Sequence, residues 1–93
     1  MDVEETKKKV IPLLKDYDVR KAGLFGSLAR GDAREDSDVD LLVEFRGDKS
    51  LLDLAGLKLD VEELLGRRVD VLTYGSLHPL LRSRILREQK ILL

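Results

Sequence analysis

Three aspartates lie in segments that otherwise read as short aliphatic strands. Asp38 and Asp40 are two residues apart at the start of Val39–Phe45, and Asp70 lies within Arg68–Thr73. Side chains alternate between the two faces of a strand, so these carboxylates project from the face opposite the aliphatic residues. Carboxylates on neighbouring strands repel one another unless a cation lies between them. Mg²⁺ typically takes one or two carboxylates together with substrate phosphates, so the pattern predicts a magnesium site.

The same aspartates suit a displacement at phosphorus, in which one bond to oxygen forms while another breaks. Two metal ions about 4 Å apart can activate an attacking oxygen and stabilise the leaving one. In that arrangement Asp38 and Asp40 would bridge the metals, and Asp70 would complete one metal shell and accept the proton of the incoming hydroxyl. The alternative is that these are solvated residues on the exposed face of a half-buried strand. Asp is depleted in strands, however, so three on two short strands need a reason.

A Gly-Ser pair follows the apolar run Lys21–Phe25 and precedes one predicted helical turn. Gly26 would let a ligand approach the backbone closely, and the start of the turn would offer N–H groups to a phosphate. Ser27 adds a hydroxyl donor, and Arg30, one turn on, is within reach of a phosphate or an acidic partner. The alternative is a tight turn that requires glycine, with Ser27 as the helix N-cap.

The elements that must hold these residues follow the order α-β-(α)-β-α-β-α. Such an order predicts helices packed on a small sheet, and leaves open whether the sheet is parallel or mixed. The predicted helices are Val3–Asp16, Ser50–Leu65 and Pro79–Glu88, with a turn at Ser27–Arg30, and the predicted strands are Lys21–Phe25, Val39–Phe45 and Arg68–Thr73.

Two details of the helices are also predicted. Pro12 should kink the first helix or end it early, because proline has no N–H to donate. Helical spacing predicts that the second long helix buries one apolar stripe, Leu54, Leu57, Val61, Leu64 and Leu65. Lys90–Leu93 is expected to add a small strand or a packed tail.

The bulk composition favours a single cytoplasmic domain, residues 1–93. The net charge of −1 argues against general adhesion to nucleic acid or to an anionic membrane. The chain has no cysteine, which excludes disulfides, thiolate metal sites and cysteine nucleophiles. No apolar run is long enough to span a membrane, and the first residues do not resemble a signal peptide.

The spacing of the two motifs resembles a known family. Gly26-Ser27, ten residues and then Asp38-x-Asp40 is similar to the signature of the DNA polymerase beta-like nucleotidyltransferase superfamily. The fuller strings, 26–31 and 36–43, resemble its minimal branch, the MntA-type antitoxins. The resemblance covers nearly the whole chain and includes Asp70 and the segment Ile85–Glu88.

This resemblance implies a fold and an activity. The fold would be α/β (α+β), a small mixed sheet with helices on one face and the site on the open side. Gly26 and Ser27 correspond to the pair that holds the nucleotide triphosphate, Asp38 and Asp40 to the metal-binding pair, and Asp70 to the third carboxylate. The implied cofactor is Mg²⁺, two ions being expected, and the implied substrate is ATP.

The resemblance also implies a partner. Minimal members transfer AMP to a tyrosine of a HEPN-domain ribonuclease toxin, acting as the antitoxin of a type VII toxin–antitoxin pair. Two alternatives stay open: a non-catalytic antitoxin that neutralises its partner by binding, and a transferase for a small molecule. The second would need extra structure to hold its substrate, which a chain of 93 residues supplies poorly.

Overall fold

The computed structural model describes residues 2–93. The helices are α1 (Val3–Asp16), α2 (Gly26–Arg30), α3 (Leu51–Leu65) and α4 (Pro79–Glu88). The strands are β1 (Val19–Phe25), β2 (Val39–Phe45), β3 (Val69–Thr73) and β4 (Lys90–Ile91), with a 3₁₀ turn at Tyr74–Ser76. The order of elements agrees with the prediction, and β4 provides the small terminal strand.

The four strands form one mixed sheet in the order β3-β2-β1-β4. β1 runs antiparallel to both β2 and β4, whereas β2 and β3 are parallel. A parallel pair needs a long crossover connection, and α3 provides it. The mixed α+β architecture that the resemblance implied is therefore confirmed, with β2 as a central strand.

The main core lies between the sheet and the two long helices. β2 turns Val39, Leu41 and Val43 towards α1 and α3, and all three side chains are buried. Residues Val10 and Leu14 of α1 and Leu57, Val61 and Leu65 of α3 complete this layer. In α3 the capping box at Ser50 and the left-handed Gly66 end the helix as its sequence indicates.

Two details of the helices concern the predictions. α1 extends over Val3–Asp16 as predicted, so Pro12 does not end it early, and Val10 and Leu14 on either side of the proline are both buried. Their packing outweighs the missing backbone hydrogen bond. Leu64 is 43% exposed and does not belong to the buried stripe of α3, while Leu54 is only partly buried.

A smaller cluster lies on the opposite face of the sheet. Leu42 points away from the main core and is fully buried beneath Tyr74 and Leu77, with Ile85 and Leu86 of α4 packed against them. The prediction that helices cover one face thus holds for α1 and α3, whereas α4 packs over part of the other face. This leaves the site at the end of the sheet where β2 begins.

Within residues 2–93, none of the helices has the length and apolar character needed to cross a membrane.

Candidate functional site

Asp40 and Asp70 are direct neighbours in the sheet. The parallel pairing of β2 with β3 places these two residues opposite each other, so both carboxylates project from the same face. Partial burial, together with the nearby charges of Asp70 and Asp38, raises the pKa of Asp40 to about 6, while the charge of Arg30 partly opposes this rise. The sequence prediction that these carboxylates leave the core on one side is therefore borne out by the geometry.

Asp38 lies one residue before β2 rather than within it. Its Oδ1 atom is 3.4 Å from Nε of Arg68, which stands one residue before β3. Asp38, Asp40 and Asp70 thus form one row of carboxylates, here called the acidic ladder, and Arg68 is paired with its first member. Sequence reasoning did not single out Arg68, although its spacing of two from Asp70 already placed both side chains on one face.

Gly26 is pressed against the Asp40 carboxylate. Phe25, the last residue of β1, pairs with Asp40, which brings the start of α2 to the head of β2. Gly26 has a φ of 70°, and a Cβ added there would collide with Oδ2 of Asp40. Both the left-handed backbone and the lack of space require glycine at this position.

The alternative role of Ser27 as an N-cap is wrong. α2 begins at Gly26, its N-cap residue is Phe25, and no side chain caps the first turn. Ser27 lies inside the helix, where its carbonyl oxygen accepts a hydrogen bond from the N–H of Asp32 at 3.0 Å. Gly31 closes the turn in the left-handed conformation. The first N–H groups of α2 therefore remain without a side-chain acceptor next to Asp40.

Arg30 lies between the acidic ladder and α4. Its Nε is 3.4 Å from Oδ2 of Asp32, and its Nη1 is 3.9 Å from Oε2 of Glu88. Its positive charge also offsets part of the rise in the pKa of Asp40. The structure thus brings Arg30 to the site, as expected, with two carboxylates as its partners.

The carboxylates fit a metal whose shell is completed by substrate. No group of three or more metal-ligating side chains within residues 2–93 is gathered closely enough to hold an ion by itself. Mg²⁺ does not need such a cage, because it is commonly held by one or two carboxylates and by phosphate oxygens. Asp40 and Asp70 repel each other across the strands, and a cation would relieve that repulsion. The assignment of Asp38, Asp40 and Asp70 as ligands stays a prediction.

The only histidine and the two tyrosines have structural contacts. His78 caps α4, since its Nδ1 accepts a hydrogen bond from the N–H of Leu80 at 3.1 Å. Tyr17 donates to Asp60 on α3. Tyr74 is buried and donates to Oε1 of Gln89 at 2.7 Å, which ties the end of α4 to the sheet. These contacts give all three residues structural roles.

Comparison with known proteins identifies the family. The sequence model of the nucleotidyltransferase domain family matches residues 4–92. A Methanocaldococcus jannaschii protein, named by inference as a protein adenylyltransferase, is 56% identical over 88 residues, which is 95% of each chain. The protein adenylyltransferase MntA of Thermococcus cleftensis is 47% identical over 72 residues, covering 77% of this chain and 73% of its own.

Among solved structures, a chain from a crystal structure of a toxin–antitoxin with AMP-PNP superposes with a TM-score of 0.82 at 25% identity. The match covers 94% of this chain and 72% of that one. The acidic ladder and the Gly-Ser turn thus lie on a shared fold and in a closely related sequence. The chain belongs to the nucleotidyltransferase domain family and is similar in sequence to protein adenylyltransferases, MntA among them.

Proposed function

We propose that this protein transfers AMP from ATP to a tyrosine hydroxyl of a cognate HEPN-domain toxin, in a reaction that requires Mg²⁺, and that it serves as the antitoxin of that pair. Two kinds of relative support the proposal. The curated relatives are named as protein adenylyltransferases, and a structural relative belongs to a toxin–antitoxin solved with an ATP analogue.

The observation that carries the proposal is the contact between the Gly-Ser turn and the acidic ladder. Asp40 faces Asp70 in register, and Gly26 lies against the Asp40 carboxylate. A triphosphate held at the start of α2 would therefore lie beside the carboxylates that can share a metal with it. The pairing of β1 with β2 brings the two motifs together, as a site shared by a triphosphate and a metal requires.

The residues of the chain have distinct tasks in the transfer. Mg²⁺ held by the three aspartates would neutralise charge on the triphosphate. Gly26 leaves room for the phosphates, and the Ser27 hydroxyl donates a hydrogen bond to them. The tyrosine oxygen forms a bond with the α-phosphorus, the bond from that phosphorus to the bridging oxygen breaks, and pyrophosphate leaves. Asp70 accepts the proton of the tyrosine hydroxyl.

The test is label transfer to the cognate HEPN-domain protein. The chain, ATP labelled in its AMP portion, Mg²⁺ and the HEPN protein are incubated, and label on the HEPN protein is measured. The double variant Asp38→Asn with Asp40→Asn should abolish transfer. Asp48→Asn is the matched control, because this exposed aspartate lies beyond the opposite end of β2.

Transfer that survives in the double variant would show that the site is wrong. Neutralisation of the toxin by the same variant, at unchanged stoichiometry, would instead show that the protein acts by binding. The proposal expects the double variant to lose transfer and neutralisation together, and the Asp48→Asn protein to retain both.

A further inference from the structure

A groove between α2 and α4 opens beside the Gly-Ser turn. Gly26 and Arg30 line it on the α2 side, and Arg84 and Glu88 line it on the α4 side. Phe25 and Ile85, both partly buried, form its apolar floor. The groove thus runs from the position proposed for the triphosphate to a second guanidinium, which the motif did not include.

Glu88 holds the two arginines on opposite walls of the groove. Its Oε1 is 3.3 Å from Nε of Arg84, and its Oε2 is 3.9 Å from Nη1 of Arg30. Asp32 on the α2 side is a further partner of Arg30. Ion pairs this exposed contribute only about 0 to 1 kcal/mol, so a ligand with several negative charges can displace the carboxylates.

The other two arginines of α4 form hydrogen bonds with backbone carbonyl oxygens outside the groove. Nη1 of Arg82 donates to the carbonyl oxygen of Tyr74 at 2.7 Å, which fastens the helix to the turn before it. Nε of Arg87 is 3.4 Å from the carbonyl oxygen of Ser83 in its own helix. Arg84 alone among these three lines the groove with Gly26.

We propose that Arg84 is a second arginine that binds the triphosphate, and that it contacts the terminal phosphates from α4 while Arg30 and Ser27 contact them from α2. A guanidinium presents a planar fork of N–H donors that suits phosphate oxygens. Arg30 and Arg84 flank the groove, so a chain of phosphates could contact both without a movement of either helix. This inference rests on the proposed use of ATP.

The direct test uses inorganic tripolyphosphate and ATP as probes, with binding measured by calorimetry. Arg84→Gln should weaken the binding of both probes about tenfold, which corresponds to the loss of one charge-assisted contact. Arg87→Gln removes the same charge from the same helix and should leave binding unchanged. Arg84→Lys should recover part of the affinity, because it keeps the charge but not the fork.

Kinetics provide a readout that a structural role would not produce. Arg84→Gln should raise KM for ATP about tenfold with little change in kcat, as expected for a contact made equally in the ground and transition states. Because Arg84 is largely exposed, the melting temperature should not change.

Two results would overturn the inference in different ways. If Arg84→Gln and Arg87→Gln bind tripolyphosphate equally while the native chain still transfers label, Arg84 is not a phosphate ligand and the proposed function stands. If the native chain binds neither tripolyphosphate nor ATP, the proposed function fails together with the inference.

Discussion

The two faces of β2 show how one strand can serve as both scaffold and site. On one face Val39, Leu41 and Val43 are buried in the main core. On the other face Asp40 and Leu42 are successive side chains, but they differ in burial. Leu42 is covered by Tyr74 and Leu77, whereas Asp40, at the head of the strand, is only partly buried.

This difference explains why the pKa of Asp40 is raised. The cluster over Leu42 withdraws water from the middle of the face, and the ladder of aspartates begins where that cover ends. Asp40 is therefore partly desolvated and lies near like charges, and both effects raise its pKa. We expect substitutions on the site face to remove activity without unfolding the protein, and substitutions on the core face to do the reverse.

The largest effect is expected on the site face. Asp40→Asn should lower AMP transfer at least about a thousandfold, because a metal-binding carboxylate contributes several kcal/mol to the transition state. Circular dichroism should show an unchanged fold. A variant that loses its fold together with its activity would remove the distinction between the two faces.

The core face should respond in stability. Leu41→Ala, at a side chain only 1% exposed, should lower the free energy of unfolding by about 3 kcal/mol in urea titrations. Leu52→Ala is the matched control, because Leu52 is 84% exposed and should change stability by less than about 0.5 kcal/mol. Activity per folded molecule of Leu41→Ala should equal that of the native protein.

A comparison of Gly26 with Gly31 separates the effect of backbone strain from the effect of contact with the site. Gly26 and Gly31 both have positive φ, so alanine at either position should cost about 1 kcal/mol of stability. Only at Gly26 would the new Cβ meet Asp40, since nothing lies within 4 Å of one at Gly31. Gly26→Ala should therefore reduce transfer about a hundredfold, as expected for misplaced reacting groups. Equal activity of the two variants would contradict this account.

The smallest effect concerns pH. The pKa of Asp40 is raised from 3.8 to about 6 in the folded protein, so ionisation costs more in the folded than in the unfolded state. In metal-free buffer Asp40→Asn should be more stable than the native protein at pH 8, by about 1 kcal/mol after allowance for solvent screening. The gain should shrink as pH falls through 6 and vanish below about 4, where Asp40 is protonated in both states.

Thermal melts at pH 8 and pH 4 with a chelator would measure this gain. Added Mg²⁺ should stabilise the native protein and not the variant. A destabilised variant at pH 8 would show that the Asp40 charge is already compensated within the fold.

Local patterns were sufficient for most of the fold. The period-two alternation around Asp40 and Asp70 predicted which side chains leave the core, and the structure agrees. Glycine at position 26 followed from its place between a strand and a helix. Leu64 was misplaced, because helical spacing identifies an apolar stripe but not its outer limit. Whether the first helix would continue past Pro12 could not be read from the proline itself, because burial on both sides of it is a tertiary effect.

By itself, the sequence determined the elements, their inward and outward faces and the residue types of the site, because these depend on short-range periodicity and on local backbone sterics. Only the tertiary structure decided which strands are neighbours, that Asp40 stands opposite Asp70, and that α4 closes over Leu42. It also decided that Arg84 shares a groove with Gly26. Such contacts join residues far apart in the chain, so their register is set by packing of the whole domain and no local pattern contains it.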